Sequence, residues 1–285
     1  KRILKWAGIL GKWYFLISIT TFANNLSVPN RLLLKEPLTA ALRTDNRKKI
    51  AELTMKATPM KLKHQAKKLI RLTWPTNLPP VVVASMGRSG STLVCKALRQ
   101  AFSVKRFPAS VKDLGIRVVT DNAWDLSEKS FRKGVVYKTH GLAEEFPAAS
   151  KAKVIFLFGC ASDAALSVLS CHESKGEKWI EEHFEHLRAR GRFAELSQRD
   201  VLRFEEQIDG WVGLKGTERL ILHYDTLWDH EDTLAKFVGT PVSLPVRQAR
   251  KGPSAVDKNT RAQFEATYAA LDAKIKSMPQ CQWLN

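Results

Sequence analysis

Cysteine is scarce in this sequence. There are 4 cysteines in 285 residues, at positions 95, 160, 171 and 281, and no two stand as a C-x-x-C pair. That pattern excludes a dense disulfide framework, removes the usual zinc-ligand spacing and favours a reducing compartment. None of the 7 histidines belongs to an H-E-x-x-H pattern, so no metal site is expected. There is no internal repeat and no low-complexity tract. A long apolar run is missing too: Trp6 to Ala23 is aromatic and aliphatic but is interrupted by Lys12 and diluted by Ser18, Thr20 and Thr21. It is a poor match to the ~20 apolar residues of a membrane span. Acidic residues are few, with Asp+Glu 28 against Lys+Arg 46, a formal net charge of +18.

That charge is unevenly spread. Residues 1–80 carry 16 Lys and Arg against 3 Asp and Glu, so most of the excess lies in an N-terminal extension over 1–78, and the remainder is only mildly basic. Trp6, Trp13, Tyr14 and Phe15 beside Lys1, Arg2, Lys5 and Lys12 have the composition of an interfacial segment. Leu38 to Thr73 is helix-compatible apart from Pro59 and carries Arg47, Lys48, Lys49, Lys61, Lys63, Lys67, Lys68 and Arg71. Residues 1–73 are therefore a candidate peripheral membrane contact, or a solvated basic helix packed by its Leu and Ile face; no specific nucleic acid is expected. The expected location is cytoplasmic or membrane-associated. The chain does not begin with Met, which leaves an upstream signal or anchor open.

From residue 79 a single α/β domain is expected, to 285. Its most informative stretch is Val81 to Leu93, where an apolar run breaks into Gly87-Arg88-Ser89-Gly90-Ser91-Thr92 and resumes as an amphipathic helix through Leu93, Ala97, Leu98 and Ala101. Glycines 87 and 90 permit close backbone approach to an anion, the first N–H groups of the helix point at it, and Ser91 and Thr92 add hydroxyls. The loop departs from Walker A, because aligning Gly90 and Thr92 puts Ser91 at the lysine position and leaves Arg88 as the only cation. An anionic group other than the ATP triphosphate suits it better.

A second segment, Gly134-Val135-Val136-Tyr137-Lys138-Thr139-His140-Gly141, reads as a strand ending in Lys, Thr and His. Alternation sends Lys138 and His140 to one face, and the carboxyl ends of strands in open α/β sheets face the ligand crevice. Taken alone the two would be a solvated strand end and a turn residue. Beside the phosphate loop, a lysine that stabilises negative charge and an imidazole that removes a proton can activate a hydroxyl.

With two later segments these motifs resemble the sulfotransferases that use 3′-phosphoadenosine 5′-phosphosulfate. Lys153 to Ser167 is similar to the family's strand-to-helix element for the 3′-phosphate, with Ser167 on its serine and Gly159 where that element has an arginine. Arg250-Lys251-Gly252, followed by Asp257-Lys258-Asn259, is similar to the family's closing basic loop over the same phosphate. Arg219 to Asp225 looks like its tyrosine strand, which makes Tyr224 either an adenine contact or a buried strand residue. Leu93 stands where cytosolic members have a tryptophan. The Arg-Ser-Gly-Ser-Thr loop leans toward members acting on carbohydrates.

The resemblance implies a P-loop NTPase-like three-layer fold with a central parallel sheet flanked by helices. It also implies 3′-phosphoadenosine 5′-phosphosulfate as donor, no metal, and in-line transfer to an acceptor hydroxyl, with carbohydrate or glycolipid favoured. The catalytic residues would be His140, Lys138 and Arg88. Gly87, Arg88, Ser89, Gly90, Ser91, Thr92, Ser167, Tyr224, Arg250, Lys251 and Gly252 would bind the nucleotide. A P-loop kinase using Asp225 for Mg²⁺ and an inactive, membrane- or nucleic-acid-docked relative are the competing readings.

Periodicity predicts parallel strands near 81–85, 135–139, 153–158 and 219–223. Helices are expected near 92–102, 161–171, 177–190, 200–212, 230–238 and 260–275. The helix at 177–190, with Trp179, Phe184 and Leu187, is expected to pack the core. The irregular segment 103–133 and residues 174–200 are the candidate acceptor-site loops.

Overall fold

The computed structural model describes residues 76–107, 112–247 and 256–285. The N-terminal extension, with its candidate membrane contact, and Arg250, Lys251 and Gly252 lie outside the described residues. From Thr76 onward the chain is α/β, with a central sheet of six strands in the order β2-β3-β1-β4-β5-β6 and helices around it. The strands are β1 (Val81–Ser85), β2 (Thr120–Asn122), β3 (Val136–Lys138), β4 (Lys153–Phe158), β5 (Arg219–His223) and β6 (Cys281–Leu284). The helices are α1 (Ser91–Arg106), α2 (Lys112–Val118), α3 (Ala161–Lys175), α4 (Glu177–Leu187), α5 (Phe204–Gly213), α6 (Glu231–Val238) and α7 (Lys258–Ser277).

The inner strands are buried on both faces, which explains why β1 reads as uninterrupted Val-Val-Val-Ala and β4 as Val-Ile-Phe-Leu-Phe. Val82, Ala84, Phe156 and Phe158 share one core with Trp211, Phe204, Phe264 and Tyr268. Phe156 stacks on Trp211 with ring centroids 6.2 Å apart. β1 pairs in parallel with β3 on one side, Val81 opposite Val136, and with β4 on the other, Val81 opposite Lys153. After β1 the chain passes through α1, α2 and β2 to β3 on one side, then crosses to β4 on the other. The strand order therefore reverses beside β1, and the carboxyl ends of β1, β3 and β4 border the crevice that open α/β sheets use for ligands.

Two expectations are corrected. The sheet is not wholly parallel: β6 runs antiparallel to β5, Leu220 opposite Trp283. The segment 103–133 is not irregular throughout, since α1 extends to Arg106 and α2 and the edge strand β2 follow. Among the described residues no helix is long and apolar enough to cross a membrane.

Candidate functional site

Gly90 is the N-cap of α1, with a φ of 85° that a residue bearing a Cβ adopts only with strain. Its carbonyl accepts from Leu93 and Val94 N–H, no side chain caps the helix, and no acid lies in its first turn. The foremost N–H groups therefore face a cavity of about 970 Å³. Arg88 precedes it with φ 53°, a left-handed conformation that turns a charged side chain out of the loop. Its Nε donates to Ser167 Oγ at 2.9 Å, joining the loop to α3. Ser89 is directed the other way: its buried hydroxyl donates to Leu157 O at 2.8 Å and ties the loop to β4. Ser91, Thr92, Leu93 and Lys96 line the cavity from α1, whereas Gly87 lies behind it against Leu187 and His183.

Lys138, at the end of β3, donates from Nζ to Thr92 Oγ1 at 2.9 Å, and burial lowers its pKa. His140 stands two residues on and is 6% exposed. Its Nδ1 lies 2.9 Å from Ser85 Oγ and 3.2 Å from the Ser85 carbonyl oxygen. A carbonyl can only accept, so the tautomer that satisfies both contacts carries its proton on Nδ1 and leaves a lone pair on Nε2. Burial first, then the Lys138 charge, pushes His140 down to about 3, so the ring is neutral across the physiological range. Gln207 Nε2 donates to the His140 carbonyl at 2.5 Å, and Trp211 Nε1 reaches Gly141 O at 3.3 Å, fixing the backbone behind the ring.

Helix α4 has two faces. Ile180 and Leu187 are buried in the core as expected, but Trp179, Glu182, His183 and His186 line the cavity. Trp179 stacks on His183 at 4.7 Å, and His183 meets His140 edge-on at 5.9 Å. Trp124 stacks on His186 at 4.0 Å and on His140 at 5.7 Å. Arg188, just past α4, holds Trp124 by donating from Nη2 to its carbonyl at 2.9 Å. Both candidate acceptor segments thus supply cavity wall, Trp124 from one and the α4 stripe from the other. Sequence reasoning missed Ser85, Trp124, His183, His186 and Arg261. Ser85 carries the clearest sequence signal of them, a polar residue ending an otherwise apolar strand, and it is buried.

Tyr224 is not a strand residue: it opens a short 3₁₀ turn after β5 and lines the cavity, its ring packed against Gly90. Asp225 points elsewhere, with its carboxylate 3.9 Å from His223 Nδ1, and it is not part of the cavity wall. That removes the group the kinase reading needs for Mg²⁺. Among the described residues no cluster of three or more His, Cys, Asp or Glu is arranged to hold a metal ion. Cys95 is buried, which raises its thiol to about 11 and leaves it protonated.

His183 is also pushed down to about 3, chiefly by burial, and its Nε2 is buried without a partner. Both histidines take up protons in the unfolded chain near pH 6.5, well before they do so in the folded one. Stability should therefore be intact above pH 6.5 and fall as pH drops toward 3, by up to about 1.4 kcal/mol per pH unit for each ring. Urea midpoints between pH 7 and 4 measure the slope. The His183→Leu variant should show a shallower one, and an unchanged slope would show that His183 protonates equally in both states.

Searches against family models and against curated proteins found no match to this chain.

Proposed function

We propose that this chain is a sulfotransferase of P-loop NTPase-like fold that moves a sulfuryl group from 3′-phosphoadenosine 5′-phosphosulfate to an acceptor hydroxyl, with a sugar or glycolipid favoured. The observation that carries the reading is convergence on one cavity. An uncapped helix N-terminus and Arg88 after β1, and Lys138 and a neutral His140 with Nε2 available at the end of β3, meet there. The α3 residue Ser167 and the ring of Tyr224 border the same space. The size of the cavity, its cations and the half-buried Tyr224 support a nucleotide with anions at both ends as its ligand.

When bound, the donor supplies an activated sulfuryl group on a phosphate. His140 Nε2 accepts the proton of the acceptor hydroxyl as that oxygen attacks, and the Ser85 carbonyl steadies the resulting imidazolium through Nδ1–H. Lys138 and the α1 N–H groups hold negative charge where the S–O bond to the phosphate breaks, and Arg88 holds the outer oxygens. These groups are oriented in advance by Thr92 and Ser167, so little reorganisation accompanies reaction.

Isothermal titration with adenosine 3′,5′-bisphosphate tests the reading. Wild-type protein should bind it, and Arg88→Ala should bind it on the order of tenfold to a hundredfold more weakly, as expected for loss of a charge-assisted hydrogen bond to phosphate. No binding by the wild-type protein would overturn the proposal.

A further inference from the structure

The cations bordering the cavity come in two groups. Arg88, Lys96 and Lys138 gather at the phosphate loop, with Lys175 over the Trp179 ring at 4.8 Å on the same side, whereas Arg261 enters from the first turn of α7. One face of α3 connects them. Ser167 accepts from Arg88, and Asp163, one turn earlier, lies 3.9 Å from Arg261 Nη1. Residues four apart on a helix are separated by about 5–6 Å at Cβ, so the two guanidinium groups stand against neighbouring turns of the same face.

Arg261 is weakly engaged. Its two acidic neighbours, Asp163 and Glu265, are both 3.9 Å away, and among the described residues its guanidinium makes no hydrogen bond. The fork of N–H donors is therefore available to a ligand, while Asp163 and Glu265 keep the side chain at the cavity edge. Glycine occupies position 159, at the end of β4, and contributes no cation to this end of the site. The α3 N-terminus contributes little as well, because Asp272 accepts from Ala161 N–H at 2.5 Å and Ser162 N–H at 3.3 Å.

We infer that Arg261 is, among the described residues, a cation for the second phosphate, the one on the ribose 3′ position, and that it takes the part which the residue at 159 cannot. The inference rests on the sulfotransferase reading and adds a binding residue to it. One edge of the guanidinium keeps its electrostatic contact with Asp163 and the other turns to the phosphate, so the nearby carboxylate is screened rather than left facing an anion. An amide at this position would keep most of the volume and lose the charge.

Two nucleotides and two variants separate the outcomes. Adenosine 3′,5′-bisphosphate and adenosine 5′-monophosphate differ only in the second phosphate, and each is titrated into wild-type, Arg261→Gln and Arg261→Lys proteins. Arg261→Gln should weaken the bisphosphate on the order of tenfold or more and leave the monophosphate unchanged, with Arg261→Lys recovering part of the loss. Equal effects on both nucleotides, or none on either, would overturn the assignment of Arg261 while leaving the nucleotide site in place. If neither nucleotide binds the wild-type protein, the sulfotransferase reading falls and the assignment with it.

Discussion

His140→Ala is expected to lower turnover by about 10²–10⁴-fold while binding adenosine 3′,5′-bisphosphate nearly as tightly as the wild-type protein. Removal of a positioned base costs its share of the transition state and little of the ground state, so the loss should fall on kcat. Ser85 offers a finer check. Ser85→Ala keeps the backbone carbonyl that fixes the tautomer and removes only the Oγ contact at 2.9 Å, so its loss should be smaller than that of His140→Ala. The direction of the pH dependence follows from burial. Because His140 is held near 3, kcat/KM should show no acidic limb from this ring near 6.5. The limb should move upward only for complexes in which a bound anion offsets the neighbouring charges. Unchanged turnover in His140→Ala would remove the imidazole from the chemistry. A limb near 6.5 in kcat/KM would mean that water reaches the ring freely in the unliganded protein.

The inner sheet was legible because burial on both faces leaves an unmistakable apolar signature in β1, β4 and β5. The edges were not. β2 is Thr-Asp-Asn, three polar residues whose strand conformation comes from parallel pairing with β3, Asp121 opposite Tyr137. Nothing local in that tripeptide favours extension. β6 is four residues and gains its place from antiparallel pairing with β5 and the edge-on packing of Trp283 on Phe237 at 5.1 Å. Tertiary pairing made both strands, and no sequence window reports it.

The same distinction divides the site. Arg88, Gly90, Lys138 and His140 sit at strand ends, where chain direction alone indicates which way they face. The α4 stripe was read as core because a helix with Trp179, Phe184 and Leu187 has the same periodicity whether its second face meets protein or a cavity. His183 and His186 marked the difference: they fall four and seven residues after Trp179 on the face that the core does not fill. Arg261 was invisible for another reason. Its relation to Arg88 exists only through α3, which packs against both the phosphate loop and α7, and such a relation between distant segments leaves no local pattern.

Gly90→Ala should disable the phosphate loop. A Cβ at this position would lie 2.4 Å from Tyr224 Cδ2 and 2.7 Å from Cε2, and the backbone φ is +85°. The φ penalty alone costs about 1–2 kcal/mol, and overlap with a rigid ring adds to it. Trp228 stands edge-on to Tyr224 at 5.7 Å on one side and the cavity lies on another, so relief of the overlap either turns the ring into the cavity or opens the loop, and both disturb the anion site. Affinity for adenosine 3′,5′-bisphosphate should fall at least about tenfold, and stability by about 1–3 kcal/mol. Tyr224→Ala in the same background separates the two causes, because it removes the overlap and leaves the φ penalty. Stability should recover in part, while affinity stays below wild type, since the ring's own contact with the nucleotide is lost as well. Tyr224→Ala alone should therefore weaken binding, by less than about tenfold for a single aromatic contact. Wild-type affinity in Gly90→Ala would mean that the loop accommodates a side chain without moving, and the anion would then have to be held by side chains rather than by the backbone of α1.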